Sequence, residues 1–186
     1  MGTFTEQQTI STYWYNKASD LRASAAAVHH AIHADETFPK DDYGLSAGCR
    51  MDVACPLVYP MLWGMAIEAL IKAVILERGI EIRQSHNLNQ LARDASITFT
   101  AEQQKLLQIL SDAIYWDGRY PVPKNQQQWD NLSDLKGETL YDKRPLSETS
   151  TLQVLSRNDK LNWESIQELW VPPMEELCRI ASWLQY

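Results

Sequence analysis

One long apolar stretch sets the tightest limit on how this chain can fold. The segment MLWGMAIEALIKAVIL, residues 61–76, is apolar on nearly every side of a helix. Such a helix must be covered on most sides, either at the centre of a helical bundle or against a second subunit. Its polar strip carries Glu68 and Lys72, which are spaced i, i+4 and can form an ion pair. We therefore predict a buried helix over residues 56–78 that ends at Gly79.

Other segments have helical patterns on either side of this stretch. Residues 10–34 contain no glycine or proline, and their apolar residues recur at spacings of three, four and seven. Asn87 or Ser85 can cap a short helix in SHNLNQLARDA. Thr100 and Gln103 form a capping-box pattern that predicts another helix, ending at DGRYPVP.

The C-terminal part of the sequence is less regular. Residues 126–158 are polar and weakly patterned, which predicts an irregular insertion. Residues 162–186 are helical again, and Pro172 with Pro173 predicts two short helices or one sharp kink. No run alternates strictly between apolar and polar residues over the length of a strand. The prediction is an all-α antiparallel bundle of four to five helices, formed by a single domain over residues 1–186.

Charge and cysteine content narrow the class of protein. The net charge is −7, which argues against broad, non-specific binding of nucleic acid. The three cysteines include no CxxC pair, so a disulfide framework or zinc knuckle is not expected, and a reducing cytoplasm fits best. The N-terminal sequence lacks a signal-peptide pattern, and the apolar run is interrupted by prolines and followed by charges. We predict a cytoplasmic protein without a membrane span.

Three of the four histidines lie in VHHAIHADE, residues 28–36. His29 and His33 are spaced i, i+4 and converge on one side of a helix, as two metal ligands would. Nearby carboxylates that could complete such a site are Asp35, Glu36, Asp41 and Asp42. The spacing matches no zinc signature, and histidines are also favoured near a helix C-terminus. We predict no metal and no cofactor, since no glycine-rich phosphate loop is present either.

Three segments in order, AIEALIKAVILERGI, SHNLNQLARDA and LLQILSDAIYWDGRYPVP, resemble the HEPN domain. That family has an apolar second helix, a short helix with H-x-L-x-x-L, and a following helix that often ends in RYP. The resemblance covers residues 59–124. It implies a helical bundle that is frequently a symmetric dimer, here a homodimer through the first or second helix. Family members include metal-independent ribonucleases of toxin and antiphage systems, nucleotide or nucleic-acid binders, and non-catalytic partners of nucleotidyltransferases.

The catalytic members of that family carry an R-x4–6-H motif, and this sequence departs from it. Two residues separate Arg83 from His86, and seven separate Arg78 from it. A formal R-x6-H occurs instead in the first helix, where Arg22 precedes His29. Because seven residues are almost two helical turns, these two side chains share a helix face, so the pair is an alternative catalytic site.

His86 is the stronger candidate because it lies in a connection just before a helix, where functional residues concentrate. It could act as a general base, with Arg83 and Arg119 gripping phosphate and with Arg78 and Arg93 as further candidates. The alternatives are structural: His86 would cap the third helix, and Arg119 would pair with a carboxylate, Asp117 or Asp94.

Two functions therefore remain open from the sequence. The first is a HEPN-like module in a bacterial defence or toxin–antitoxin system that binds RNA, a nucleotide or a protein partner such as a nucleotidyltransferase. The missing motif and the acidic net charge favour it. The second is a metal-independent endoribonuclease with His86 as general base and arginines clamping phosphate.

Overall fold

The computed structural model describes residues 3–34, 38–46, 48–146 and 152–184, and it is mostly helical, with 66% of residues in helices. The helices are α1 (Phe4–Thr9), α2 (Ser11–His33), α3 (Met51–Ala54), α4 (Val58–Glu77), α5 (Leu88–Asp94), α6 (Ala101–Asp112), α7 (Gln126–Thr139) and α8 (Trp163–Ile180). A two-stranded antiparallel sheet consists of β1 (Tyr141–Pro145) and β2 (Gln153–Arg157). The mostly helical class is confirmed, and the small sheet is a feature that the all-α prediction did not include.

Helix α4 is the centre of the fold, as its apolar sequence predicts. It packs against α2, α5, α6, α8 and the turn after α6. Within the described residues it is the one helix long and apolar enough to cross a membrane by length and composition alone. However, 78% of that stretch is buried inside the fold, which is the position of a core helix. Other helices of the same chain supply its cover.

Glycine at two positions lets α4 approach its neighbours closely. A Cβ at Gly64 would lie 2.9 Å from Cγ1 of Ile114, and a Cβ at Gly118 would lie 2.6 Å from Cβ of Met61. Gly79 has a different role, because its φ of +68° ends α4 with a left-handed residue. The predicted stop at this position is confirmed.

The predicted helix caps are also present. The side chain of Asn87 accepts a hydrogen bond from the Gln90 amide at 2.9 Å, so Asn87 is the N-cap of α5. Thr100 and Gln103 form both halves of a capping box at the start of α6. The Asn87 cap fixes where the connection before α5 ends, and the capping box fixes where α6 begins.

The prediction of an irregular insertion over residues 126–158 is wrong. Its first part is α7, whose N-cap Asn125 accepts a hydrogen bond from the Gln128 amide at 3.0 Å. Its second part is the β1–β2 hairpin. Helix α7 buries Leu132 but exposes most of its other residues, and both strands are almost wholly exposed. Because so few apolar residues are needed at these positions, the sequence shows little periodicity.

Pro145 fits the hairpin because it lies on an outer edge. The amide of Leu146 bonds to the carbonyl of Leu152, and the amide of Asn158 bonds to the carbonyl of Leu140. In an antiparallel ladder, hydrogen-bonded and non-hydrogen-bonded residue pairs alternate along the strand. Pro145 is next to the hydrogen-bonded Leu146, so its backbone nitrogen points away from β2. The missing N–H therefore removes no bond of the ladder.

The proline pair does not divide the C-terminal helix into two. Helix α8 continues from Trp163 to Ile180 through Pro172 and Pro173. Each proline removes one backbone hydrogen bond. One face of α8 stays buried against the core along its whole length, and this burial compensates for the lost bonds. The buried residues are Ile166, Leu169, Trp170, Pro173 and Leu177.

Candidate functional site

His86 lies in the connection between α4 and α5, and hydrogen bonds fix the end of that connection at α5. After His86, the amide of Leu88 donates to Oγ of Ser111 on α6 at 3.0 Å. The same hydroxyl donates to the carbonyl of Leu107 at 2.7 Å. Ser111 and Leu88 are buried, so these bonds are shielded from water. The backbone around His86 is therefore held while its side chain stays 51% exposed.

A chain of polar contacts runs from the core to His86. Nδ1 of His86 lies 2.9 Å from Oε2 of Glu68. The other oxygen, Oε1, accepts a hydrogen bond from Nζ of Lys72 at 2.6 Å. Nζ of Lys72 also lies 5.2 Å from the ring centroid of Trp14 on α2. The predicted Glu68–Lys72 ion pair is present, and it continues to the candidate base.

The ring of His86 borders two adjoining cavities. The larger, of about 510 Å³, is lined by His86, Tyr115, Trp116, Arg119, Tyr120, Pro121, Val122, Pro123 and Lys124. The smaller, of about 350 Å³, is lined by Gln84, Ser85, His86, Asn87, Gln108, Ser111, Asp112 and Tyr115. Because both cavities share His86 and Tyr115, we treat them as one surface feature, the His86 groove.

The far wall of the groove is formed by the end of α6. Residues 113–117 form a π-helical turn, a local irregularity that often occurs at functional sites. This turn contains Tyr115 and leads into Tyr120, and these two residues are 42% and 53% exposed. Nζ of Lys124 lies 5.6 Å from the ring centroid of Tyr115, and the Arg119 guanidinium lies 5.3 Å from that of Tyr120. Aromatic faces and positive charges thus alternate along this wall.

Arg119 is the predicted arginine that the fold brings into the groove with His86. Its proposed carboxylate partners are occupied elsewhere, since Asp117 pairs with Lys136 at 2.6 Å and Asp94 pairs with Arg83 at 3.2 Å. In the part of the chain that the structure describes, neither Arg119 nor Lys124 forms an ion pair. Lys124 follows directly after the RYP segment, and sequence reasoning missed it because no motif includes it.

The other predicted arginines do not line the groove. Arg83 forms the ion pair with Asp94, and Arg78 pairs with Glu176 on α8. Arg93 donates to Oε1 of Gln90 at 2.8 Å. Of the arginines expected to gather around His86, Arg119 is therefore the one that lines the groove, and the expected cluster is not formed.

Asp112 is an acidic group in the smaller cavity. Burial raises the pKa of its carboxyl group, although a hydrogen bond from Nε2 of Gln108 at 3.1 Å acts in the opposite direction. Asp112 therefore holds its proton to higher pH than an exposed aspartate. The groove combines an acid of this kind with the imidazole of His86.

Of the alternative pair, His29 lines a cavity to which Arg22 does not contribute. Arg22 donates to Oε1 of Gln167 at 2.8 Å, and its guanidinium is surrounded by tryptophan rings at 5.1–6.0 Å. His29 instead faces a separate cavity of about 300 Å³ that it lines with His33 and Tyr59. Nε2 of His29 lies 3.0 Å from Nε2 of His33.

The surroundings of His29 oppose a positive charge. Burial, followed by the charge of His33, lowers the pKa of the His29 imidazole, while Glu164 acts in the opposite direction. Among the described residues, no three His, Cys, Asp or Glu side chains are grouped closely enough to hold a metal ion. Asp35 and Glu36, two of the suggested carboxylates, lie outside the described residues.

Comparison with known protein families finds a match that covers the central helices of this fold. The family model of the HEPN domain matches residues 63–141, which span most of α4 and continue through α5, α6 and α7 to the start of β1. This match supports HEPN family membership for the segment of residues 63–141. HEPN domains commonly dimerise and bind RNA. No curated protein and no solved structure matches the chain at a significant level.

Proposed function

We propose that this protein binds single-stranded RNA, through a few of its nucleotides, in the His86 groove. One observation carries the proposal. In a cavity of about 510 Å³, Arg119 and Lys124 stand beside exposed tyrosine faces and form no ion pair among the described residues. Cations of this kind can bind phosphate, and tyrosine faces can stack with bases of any sequence.

The charge distribution restricts where RNA can bind. The whole chain carries −7, so most of its surface repels a polyanion. Two cations neutralising two phosphates of a single strand predict a shallow salt dependence, with a slope of about −1.4 in log K against log salt concentration. A much steeper slope would require a larger basic surface.

The biological setting is proposed from the family. Membership supports a role in a bacterial defence or toxin–antitoxin type system, with the protein acting in the cytoplasm as a homodimer. A nucleotidyltransferase-type protein is the proposed protein partner. Light scattering at micromolar concentration tests the dimer, and a monomeric mass would contradict it.

The second candidate function is a metal-independent endoribonuclease with His86 as general base. The observation that favours it is the state of the imidazole, whose Nδ1 is bound to Glu68 while half of the side chain is exposed in the groove with Arg119. A base held in this way could accept a proton from a ribose hydroxyl. Arg83, which the sequence predicts as a second phosphate clamp, is paired with Asp94 and does not line the groove.

RNA binding is tested by fluorescence anisotropy with a labelled single strand of about eight nucleotides, within the range of known site sizes. We expect Arg119→Ala and Lys124→Ala to weaken binding, while Arg144→Ala leaves it unchanged. Arg144 is a suitable control because it is an exposed arginine on β1 that does not line the groove. Equal losses in all three variants, or no binding by the unmodified protein, would contradict the proposal.

Catalysis is tested by incubating RNA with the protein in excess EDTA. Cleavage that is lost in His86→Ala but retained in His29→Ala would support the ribonuclease and locate its base. Loss only in His29→Ala would move the site to α2. Binding without cleavage would leave the RNA-binding module as the function.

A further inference from the structure

Glu68 and Lys72 are unusual because they are charged and lie in the core. Among the described residues they are the charged side chains that are buried, with 8% and 5% of their surface exposed. The rest of α4 is almost entirely apolar. A buried ion pair often contributes little to stability, because removing both charges from water offsets most of their attraction. Stability alone therefore does not account for this pair.

Each carboxylate oxygen of Glu68 instead has one side-chain partner. Oε1 accepts from Lys72 at 2.6 Å, and Oε2 lies 2.9 Å from Nδ1 of His86. A carboxylate that is already paired with Lys72 can only accept, so the imidazole proton lies on Nδ1. In the described part of the chain, Nε2 of His86 has no hydrogen-bond partner. When the ring is neutral, Nε2 is therefore the nitrogen that carries no proton.

We propose that Glu68 is a positioning residue that fixes the tautomer and orientation of His86, and that Lys72 supports it by neutralising its charge. The result is an imidazole that presents Nε2 to the groove as a hydrogen-bond acceptor or base. In functional histidines, a hydrogen bond at the ring nitrogen that does not react commonly sets the tautomer in this way. The role of His86 toward RNA rests on the function proposed above, but its tautomer can be measured without RNA.

Two variants separate positioning from structural support. In Glu68→Gln the side chain keeps its shape. Lys72 can only donate, so the amide oxygen must turn toward Lys72, and the amide NH₂ must turn toward His86. Nδ1 then becomes an acceptor, and the ring proton moves to Nε2. In the double variant Glu68→Leu with Lys72→Met, the ion pair is replaced by apolar groups of similar size, which should preserve or increase stability.

The experiment combines nitrogen NMR of the histidine rings, denaturant unfolding and RNA binding by anisotropy. The His86 signals are assigned by their loss in His86→Gln. We expect a protonated Nδ1 in the unmodified protein and a protonated Nε2 in Glu68→Gln. RNA affinity should fall about tenfold in Glu68→Gln, as for one hydrogen bond of about 1.4 kcal/mol. The double variant should unfold at no lower denaturant concentration, yet bind RNA with similarly reduced affinity.

Three results would overturn the positioning role. One is an unchanged His86 tautomer in Glu68→Gln. Another is a double variant that loses stability but binds RNA normally. The third is RNA binding that depends on Arg119 but not on Glu68, which would contradict the positioning role alone. Failure of the proposed function looks different, because the tautomer would switch as expected while the unmodified protein bound no RNA.

Discussion

The two histidine regions of this protein differ in what surrounds the imidazole. The ring of His86 is bound at one nitrogen by a buried carboxylate and is half-exposed in a groove with Arg119 and Lys124, which form no ion pair among the described residues. The ring of His29 contacts a second histidine, and its ring centroid lies 5.4 Å from that of Tyr59. The first setting holds the imidazole at one nitrogen and leaves about half of the side chain exposed, whereas the second lowers the pKa of the His29 ring.

The comparison teaches that spacing along a helix is a poor guide to a shared site. Arg22 and His29 satisfy R-x6-H, but the guanidinium of Arg22 is held among tryptophan rings of α4 and α8. His86 and Arg119 are 33 positions apart, yet they line one cavity. The fold brings them together because the end of α6 packs close to α4. That close packing can be tested directly.

The largest effect is expected from filling the space at Gly118. A Cβ there would meet Cβ of Met61 at 2.6 Å and the carbonyl of Leu57 at 3.0 Å, so Gly118→Val must push α4 and the π-helical turn apart. Overpacking of this kind should lower the free energy of unfolding by about 1–3 kcal/mol. RNA binding in the groove should weaken as well, while the His29 ring signals should change little. Denaturant unfolding and anisotropy measure the two effects.

Gly137→Ala is the matched control for this change. Gly137 lies within α7, and a Cβ there would have no heavy atom within 4 Å. Replacing an unstrained helical glycine by alanine should stabilise the protein by about 0.5–1 kcal/mol. Equal destabilisation by both variants would show that close approach at Gly118 is not the reason for glycine there.

A smaller effect is expected from Ser111→Ala, which acts on the backbone next to His86. The buried amide of Leu88 would lose its acceptor, at a cost of about 1–2 kcal/mol. The connection that carries His86 should also become more mobile, which faster amide hydrogen exchange at Leu88 would reveal. Unchanged exchange at this amide would indicate that Ser111 does not hold the connection.

The sequence predicts the scaffold of the site better than its contents. The apolar pattern of α4 and the caps Asn87 and Thr100 are local signals, so the core helices and the position of His86 follow from them. The Glu68–Lys72 pair is predictable from its i, i+4 spacing. Its hydrogen bond to His86 depends on how the connection after α4 folds back, and no local rule specifies that.

The missed features have a common physical cause. Helix α7 and the β1–β2 hairpin bury few apolar side chains, so tertiary contacts rather than periodicity specify them. Lys124 is missed for a related reason, because a lone exposed lysine has no pattern. The ion pair of Arg83 with Asp94 joins two different segments, so the spacing of the two residues in the sequence does not predict it.

The smallest expected effect is on how the free energy of unfolding depends on pH, through the titration of His29. Because the folded protein lowers the pKa of His29 below its ordinary 6.5, the unfolded chain takes up this proton more readily. The contribution of the neutral His29 ring to the free energy of unfolding is therefore fully present above about pH 6.5 and is lost as the pH falls below that value. We expect His29→Gln to reduce the loss of unfolding free energy between about pH 8 and pH 5.

His30→Gln is the control for this titration. His30 is exposed and lies on the same turn of α2, so its removal should leave most of the acid dependence in place. If His30→Gln reduced the dependence as much as His29→Gln, the burial of the His29 ring would not be its source.

The most direct test of the central claim follows all histidine rings by NMR while a single-stranded RNA of about eight nucleotides is added. We predict that the signals of His86 shift in proportion to RNA bound, while those of His29 and His33 stay in place. Arg119→Ala should abolish the shift at the same RNA concentration. Shifts at His29 and His33 without a shift at His86 would place binding on α2 and contradict the account.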